Sequence, residues 1–119
     1  MTTNIHQFEN IRIAEVISDD ILIGNAEEGL QLLVDLYYQD FDSIVLYQQQ
    51  ISAEFFNLKS GMAGELLQKF SNFRVKLAIV GDFEKYTGKS MGDFIYESNQ
   101  GRMVNFLPSL KAALAKLCN

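Results

Sequence analysis

Residues 75–82 read Val-Lys-Leu-Ala-Ile-Val-Gly-Asp, and this stretch decides the fold class. A short, nearly continuous apolar run that contains β-branched residues is typical of a strand covered on both faces of a sheet. The Gly81-Asp82 pair predicts that this strand ends at Val80. Residues 43–47, Ser-Ile-Val-Leu-Tyr, have the same character. The sequence therefore predicts two buried strands, which favours an α/β fold.

Helical patterns flank both runs. Helical spacing of apolar residues predicts four helices, over residues 26–38, 52–73, 90–98 and 109–117. Asn25 is a good N-cap for the first, and Glu28 stands where a capping-box partner belongs. Ser60-Gly61 interrupts the second, and glycine within a helix costs about 1 kcal/mol relative to alanine. We therefore expect a bend there, or a helix that begins near Ser60.

The remaining segments complete the predicted sheet. Residues 11–17 alternate apolar and polar side chains, and with a turn at 18–20 and the apolar residues 21–23 they predict an opening hairpin. A last strand is predicted over 103–107. The order β-β-α-β-α-β-α-β-α predicts a mixed, mostly parallel five-stranded sheet with four helices, in a single domain over residues 1–119.

Composition narrows the classes of partner. The formal net charge is −5 with no run of Lys or Arg, which disfavours nucleic acid and anionic membranes. Apolar stretches stop well short of the ~20 residues of a bilayer span, and the first residues lack the pattern of an export signal. Cys118 is the only cysteine, which excludes an intrachain disulfide. We expect a cytoplasmic protein.

Parallel strands direct their carboxyl ends, and hence their loops, to one edge where ligands gather. By this argument that edge collects eight polar residues, Gln48, Gln49, Gln50, Lys59, Ser60, Asp82, Lys85 and Lys89. The same geometry predicts that Glu97, Asn99 and Arg102 lie at the opposite edge. There they form a second polar cluster, whose expected role is helix termination through a left-handed Asn99 or Gly101.

Residues 81–90 end in Gly-Lys-Ser after a strand, like a phosphate-binding loop. Such a loop has four residues between its glycines, whereas this stretch has six, so we interpret it as an ordinary connection. His6 stands alone near a terminus that we expect to be frayed, and Cys118 has no neighbouring base. No metal site, cofactor or complete catalytic constellation is predicted.

Two single residues have alternative interpretations. Ser60 caps or bends a helix, with Gly61 allowing close packing, or it is a phosphorylation site beside helix N–H groups. Asp82, directly after a buried strand, is a turn residue or a binding or catalytic carboxylate.

Four stretches, which are residues 55–64, 68–70, 76–83 and 94–102, closely resemble a small bacterial domain family of unknown function. The resemblance covers nearly the whole chain and implies no assigned activity. More distantly, the hairpin-first order, the mid-helix glycine and the strand that ends in Val80-Gly81-Asp82 resemble the SpoIIAA-like branch of the STAS fold (sulfate-transporter and anti-sigma-factor-antagonist domains). Antagonists of that fold carry an Asp-Ser-Ser-Gly turn whose second serine is phosphorylated.

That resemblance implies that Ser60-Gly61 matches the last two residues of the turn, while Leu58 and Lys59 replace its Asp and first Ser. Our first hypothesis is a non-enzymatic regulatory or binding domain that acts through a protein partner or small ligand at the edge formed by Lys59, Gly61, Asp82 and Lys85. The alternative is a small enzyme or ligand sensor that uses Asp82 with Lys59, Lys85 or Lys89 as an acid–base pair. A third hypothesis is a homodimer formed through an apolar helix face.

Overall fold

The computed structural model describes residues 1–86 and 90–118, and within these the strands of the sheet follow one another in chain order. The five strands are β1 (Thr2–Phe8), β2 (Ile11–Ile17), β3 (Ser43–Tyr47), β4 (Lys76–Val80) and β5 (Val104–Leu107). β1 is antiparallel to β2, and every later pair is parallel. The predicted mixed, mostly parallel α/β sheet is confirmed.

Four α-helices connect and cover the strands, namely α1 (Ala26–Tyr37), α2 (Met62–Phe73), α3 (Met91–Gln100) and α4 (Leu110–Leu117). Asn25 caps α1, with its Oδ1 accepting from the Glu28 N–H at 2.9 Å. α2 begins at Met62, so the later of its two predicted starts is right. The chain before it forms three short 3-10 helices, Gln48–Gln50, Ala53–Phe56 and Leu58–Ser60.

The opening hairpin differs from the prediction. β2 pairs with the preceding β1 around a turn at Glu9 and Asn10, not with residues 21–23. Ile23 makes only an isolated bridge with Ile51. β1 was missed because its mostly polar sequence has little of the apolar alternation that marks a half-buried strand.

The sheet is covered unequally. α1, α2 and α3 share one face, where Leu33, Leu66 and Ile95 pack in the larger core with Leu46 and Ile79. α4 lies on the other face, mainly against β3, β4 and β5. The chain therefore leaves β4 towards one face and β5 towards the other.

Candidate functional site

The connections that leave β4 and β5 lead to opposite faces of the sheet, and a cavity lies between them at its carboxyl edge. Its volume is about 500 Å³, and it is lined by Gly81, Asp82, Phe83, Glu84, Ile95, Asn99, Phe106, Leu107 and Pro108. Neighbouring strands whose connections lead to opposite faces leave a crevice between their loops, and open α/β sheets bind ligands there. We call this the β4–β5 cavity.

Aromatic and aliphatic side chains form most of its wall. The rings of Phe83 and Phe106 meet edge to face with centroids 5.3 Å apart. Phe106 also contacts Phe94, at 6.2 Å between centroids, and is itself buried. The apolar wall is therefore anchored in the core and held in a fixed shape.

Asp82 lies at the rim of the β4–β5 cavity, with its carboxylate exposed. Its Oδ1 accepts from the Glu84 N–H at 3.2 Å, which is the bond of a turn aspartate. Its own N–H donates to Gln48 Oε1 at 3.1 Å. A Cβ on Gly81 would lie 2.7 Å from Gln48 Cβ, so glycine is needed for this approach. Asp82 thus has the predicted turn role and still presents a carboxylate to the cavity.

Asn99 also lines the β4–β5 cavity, which corrects its predicted place at the opposite edge. Its Oδ1 accepts from the Phe106 N–H at 2.7 Å, and its Nδ2 donates to the Phe106 carbonyl at 3.1 Å. One amide thus satisfies both backbone groups of an edge-strand residue. Asn99 lies within α3 and Gly101 has φ −94°, so the predicted left-handed helix end is wrong.

Glu97 and Arg102 stay together without Asn99. They line a separate groove of about 280 Å³ beside Met103 and Val104, at the amino end of β5. Within the described part of the chain, Arg102 makes no ion pair with a carboxylate. The predicted second cluster is therefore reduced to this pair.

Ser60 and Gly61 line another cavity, of about 360 Å³, together with Glu54 and Glu65. The Ser60 hydroxyl donates to the Glu54 carbonyl at 2.7 Å and accepts from the Met62 N–H at 3.2 Å. The capping role predicted for Ser60 is thus realised only in part, because its hydroxyl accepts from the first N–H of α2 while the N-cap residue is Gly61.

The local environment of Ser60 bears on its predicted modification. Gly61 has φ +77° with open space around it, so its role is the left-handed backbone and not the predicted close packing. Lys59 is exposed nearby and its N–H donates to Asn57 Oδ1. A phosphate on Ser60 would share its cavity with Glu54 and Glu65, whose negative charges would oppose it. Phosphorylation of Ser60 stays a prediction.

Lys85 lines a third cavity, of about 410 Å³, with Gln48, Gln49, Phe56 and Tyr86 among its neighbours. Its Nζ lies 5.3 Å from the centroid of the Tyr86 ring, a cation–π contact. Asp82 makes no ion pair with Lys59 or Lys85, so the described residues do not form the acid–base pair of the enzyme hypothesis. Lys89, its other candidate partner on this loop, lies outside the described residues.

Gln50 has a structural role at the edge. It is buried, its Oε1 accepts from the Tyr47 N–H at 2.9 Å, and its Nε2 donates to the Val16 carbonyl at 2.9 Å. These bonds tie the end of β3 to the end of β2. Gln50 is therefore not free to contact a ligand.

A buried ionisable cluster was not predicted from the sequence. Glu15 in β2 is 5% exposed and lies on the α4 face of the sheet. Its Oε2 accepts from the Tyr47 hydroxyl at 2.5 Å, and its Oε1 contacts His6 Nε2 at 2.9 Å. Asn4 Nδ2 lies 3.5 Å from the same oxygen. We call these four residues the Glu15 cluster.

The Glu15 cluster corrects the expectation for His6, which lies in β1 and not in a frayed terminus. Burial alone would raise the pKa of Glu15, but the hydrogen bonds from Tyr47, His6 and Asn4 outweigh burial, so that pKa is lowered. Burial and the Glu15 carboxylate raise the pKa of Tyr47 to about 12. The only sequence signal was a glutamate inside an apolar strand.

Among residues 1–86 and 90–118, no group of three or more His, Cys, Asp or Glu side chains lies where it could hold a metal ion. None of the described helices combines the length and the apolar character needed to cross a bilayer.

Comparison with known proteins places the chain in a family. The family model described as "Domain of unknown function (DUF4180)" matches residues 8–117. No curated protein and no solved structure gives a significant match. The matched segment includes every element from β2 to α4, which is most of the chain, and nearly all of β1 lies before it. Because the match covers most of the chain, the chain belongs to the family of DUF4180 domains of unknown function.

Proposed function

We propose that this chain is a non-enzymatic binding domain that takes a small ligand in the β4–β5 cavity. The observation that carries the proposal is the position of that cavity, between the loops that leave β4 and β5 towards opposite faces. A volume of about 500 Å³ falls within the usual range for small-molecule sites. A regulatory role would follow if ligand binding altered contact with a protein partner.

The lining residues favour one class of ligand. Phe83, Ile95 and Phe106 offer an apolar wall, and Asp82 and Glu84 bring two carboxylates to the rim. The described lining residues include no Lys or Arg to neutralise them. The cavity therefore suits a compact molecule that has an aromatic or aliphatic body and an ammonium group.

We also retain the more distant STAS-like relationship as part of this proposal, on the sequence resemblance alone. The enzyme alternative has less support, since Asp82 and Lys85 line different cavities.

Amide chemical shifts measured with a pair of matched probes test the proposal. We expect 2-phenylethylamine to shift the amide resonances of Gly81, Phe83 and Phe106, and 3-phenylpropionate, a carboxylate of similar size, to bind more weakly. An exposed ion pair contributes up to about 1 kcal/mol, which is about fivefold in affinity. The substitutions Asp82→Asn and Glu84→Gln should each weaken amine binding by about that factor.

The matched control is Glu97→Gln, which neutralises a carboxylate in the separate groove beside Met103. It should leave the affinity for the amine unchanged. Equal affinities for the amine and the acid would refute the ligand class. A complete lack of shifts in the β4–β5 cavity with both probes would refute the binding function.

A further inference from the structure

The two edges of the sheet are protected differently. At the β5 edge, the Asn99 side chain of α3 bonds both backbone groups of Phe106. At the other edge, β1 pairs only with β2 among the described residues. An edge strand presents a row of unpaired N–H and C=O groups, which is a template for another strand. β1 offers seven residues of such an edge.

β1 also lacks the usual features that prevent edge pairing. Proteins protect edge strands with lysine or other charged residues, proline, bulges or short strand length. Residues 2–8, Thr-Thr-Asn-Ile-His-Gln-Phe, contain no Pro, Lys, Arg, Asp or Glu. Ile5, at the centre of the strand, is 57% exposed. This long, uncharged edge with an apolar centre is built like a pairing surface.

We propose that β1 pairs antiparallel with β1 of a second copy of this chain, across a two-fold axis at Ile5. The two five-stranded sheets would then form one continuous sheet of ten strands. In this register Ile5 lies opposite the partner's Ile5, Asn4 opposite the partner's His6, and Thr3 opposite the partner's Gln7. Two-fold pairing of one surface with itself is the commonest form of protein dimer.

Apolar contact favours a second copy as the occupant, and the uncharged sequence of β1 limits the electrostatic cost of the approach. Each chain carries a formal net charge of −5, so two copies repel each other. This repulsion is weakest where the approach of the two copies brings no charged side chains together. The uncharged β1 is such a place. Directly opposite residues have Cβ atoms about 4.5–5.5 Å apart, so the two exposed Ile5 side chains would cover each other.

Sedimentation velocity over a range of concentrations tests the dimer. Edge pairing buries less than a standard interface, so we expect dissociation at about 10–100 μM. The wild-type protein should shift with concentration from 13.5 kDa to twice that mass. Ile5→Lys places two ammonium groups side by side at the axis, and this variant should stay monomeric.

The matched control is Tyr96→Lys, which makes the same change at an apolar residue of α3 that is 67% exposed. It should dimerise like the wild type. Far-ultraviolet circular dichroism checks that both variants fold. A wild-type protein that is monomeric at every concentration would overturn the proposal and leave the β1 edge to a strand of another protein. Dimerisation of Ile5→Lys equal to that of the wild type would also overturn it.

Disulfide trapping tests the register independently, in a Cys118→Ser background that removes the native thiol. Ile5→Cys should cross-link to itself on oxidation, because the two residues lie opposite each other at the axis. Gln7→Cys should not, since in this register the two copies of residue 7 are four positions apart, about 14 Å, beyond the ~7 Å limit for a disulfide. Cross-linking of Gln7→Cys as readily as Ile5→Cys would refute the pairing at Ile5.

Discussion

Removal of the Tyr47 hydroxyl tests the Glu15 cluster most directly. In Tyr47→Phe, Glu15, which is 5% exposed in the wild type, loses the 2.5 Å bond to its Oε2. A hydrogen bond to a charged group contributes about 1.5–3 kcal/mol to stability. Because Tyr47 is only partly buried, water can replace some of this bond, so we expect the free energy of unfolding to fall by about 2 kcal/mol at pH 7.

The pH dependence of this loss has a definite sign. The pKa of Glu15 is lowered in the folded protein from its ordinary value of 4.5, so its contribution is present above 4.5 and is lost as the pH falls through the folded value. The difference between wild type and Tyr47→Phe should therefore shrink as the pH falls below 4.5. The pKa of Tyr47 is raised from 10.0 to about 12, so the wild type should lose stability as the pH rises through that window.

Urea unfolding followed by circular dichroism at pH 7 and pH 3 measures these differences. Tyr96→Phe is the control, because Tyr96 is 67% exposed and removal of its hydroxyl should change stability by less than about 0.5 kcal/mol. A double-mutant cycle with Glu15→Gln should give a coupling energy of about 1–2 kcal/mol. A loss below about 0.5 kcal/mol at pH 7, or one that is equal at both pH values, would refute the reasoning.

Four further substitutions test other parts of the structure by the same unfolding measurement. Gly81→Ala should destabilise by about 1–3 kcal/mol, because the new methyl group would overlap Gln48, and a loss under about 0.5 kcal/mol would contradict the close approach. Gly61→Ala should cost about 1–2 kcal/mol through its left-handed backbone, whereas Gly64→Ala, with open space around it in the first turn of α2, should stabilise by up to about 1 kcal/mol. Asn99→Ala should cost about 2 kcal/mol by leaving two backbone groups of β5 unpaired, and an unchanged midpoint would argue against that role.

The sequence predicted the buried elements well. β3 has the predicted bounds 43–47, and β4 begins one residue later than predicted. Strands covered on both faces have continuous apolar sequences, and the helices between them have apolar residues at helical spacing. Such local patterns specify the class and order of elements without knowledge of their contacts.

The edges and the site were less predictable for a physical reason. β1 is an exposed edge strand, so burial places little constraint on its sequence. The Glu15–Tyr47 bond joins residues 32 positions apart, which no local pattern reveals. The same limit applies to Asn99, whose place in the β4–β5 cavity depends on how α3 packs beside β5.

The agreement between chain order and spatial order has a consequence for assembly. Each new strand docks onto the one synthesised just before it, so no late strand has to be inserted between two that are already paired. The sheet can thus grow outward from its amino-terminal hairpin during translation, with its free side moving from β2 to β5. At β5 the Asn99 side chain of α3 occupies both backbone groups of Phe106, which opposes the addition of a further strand at that edge.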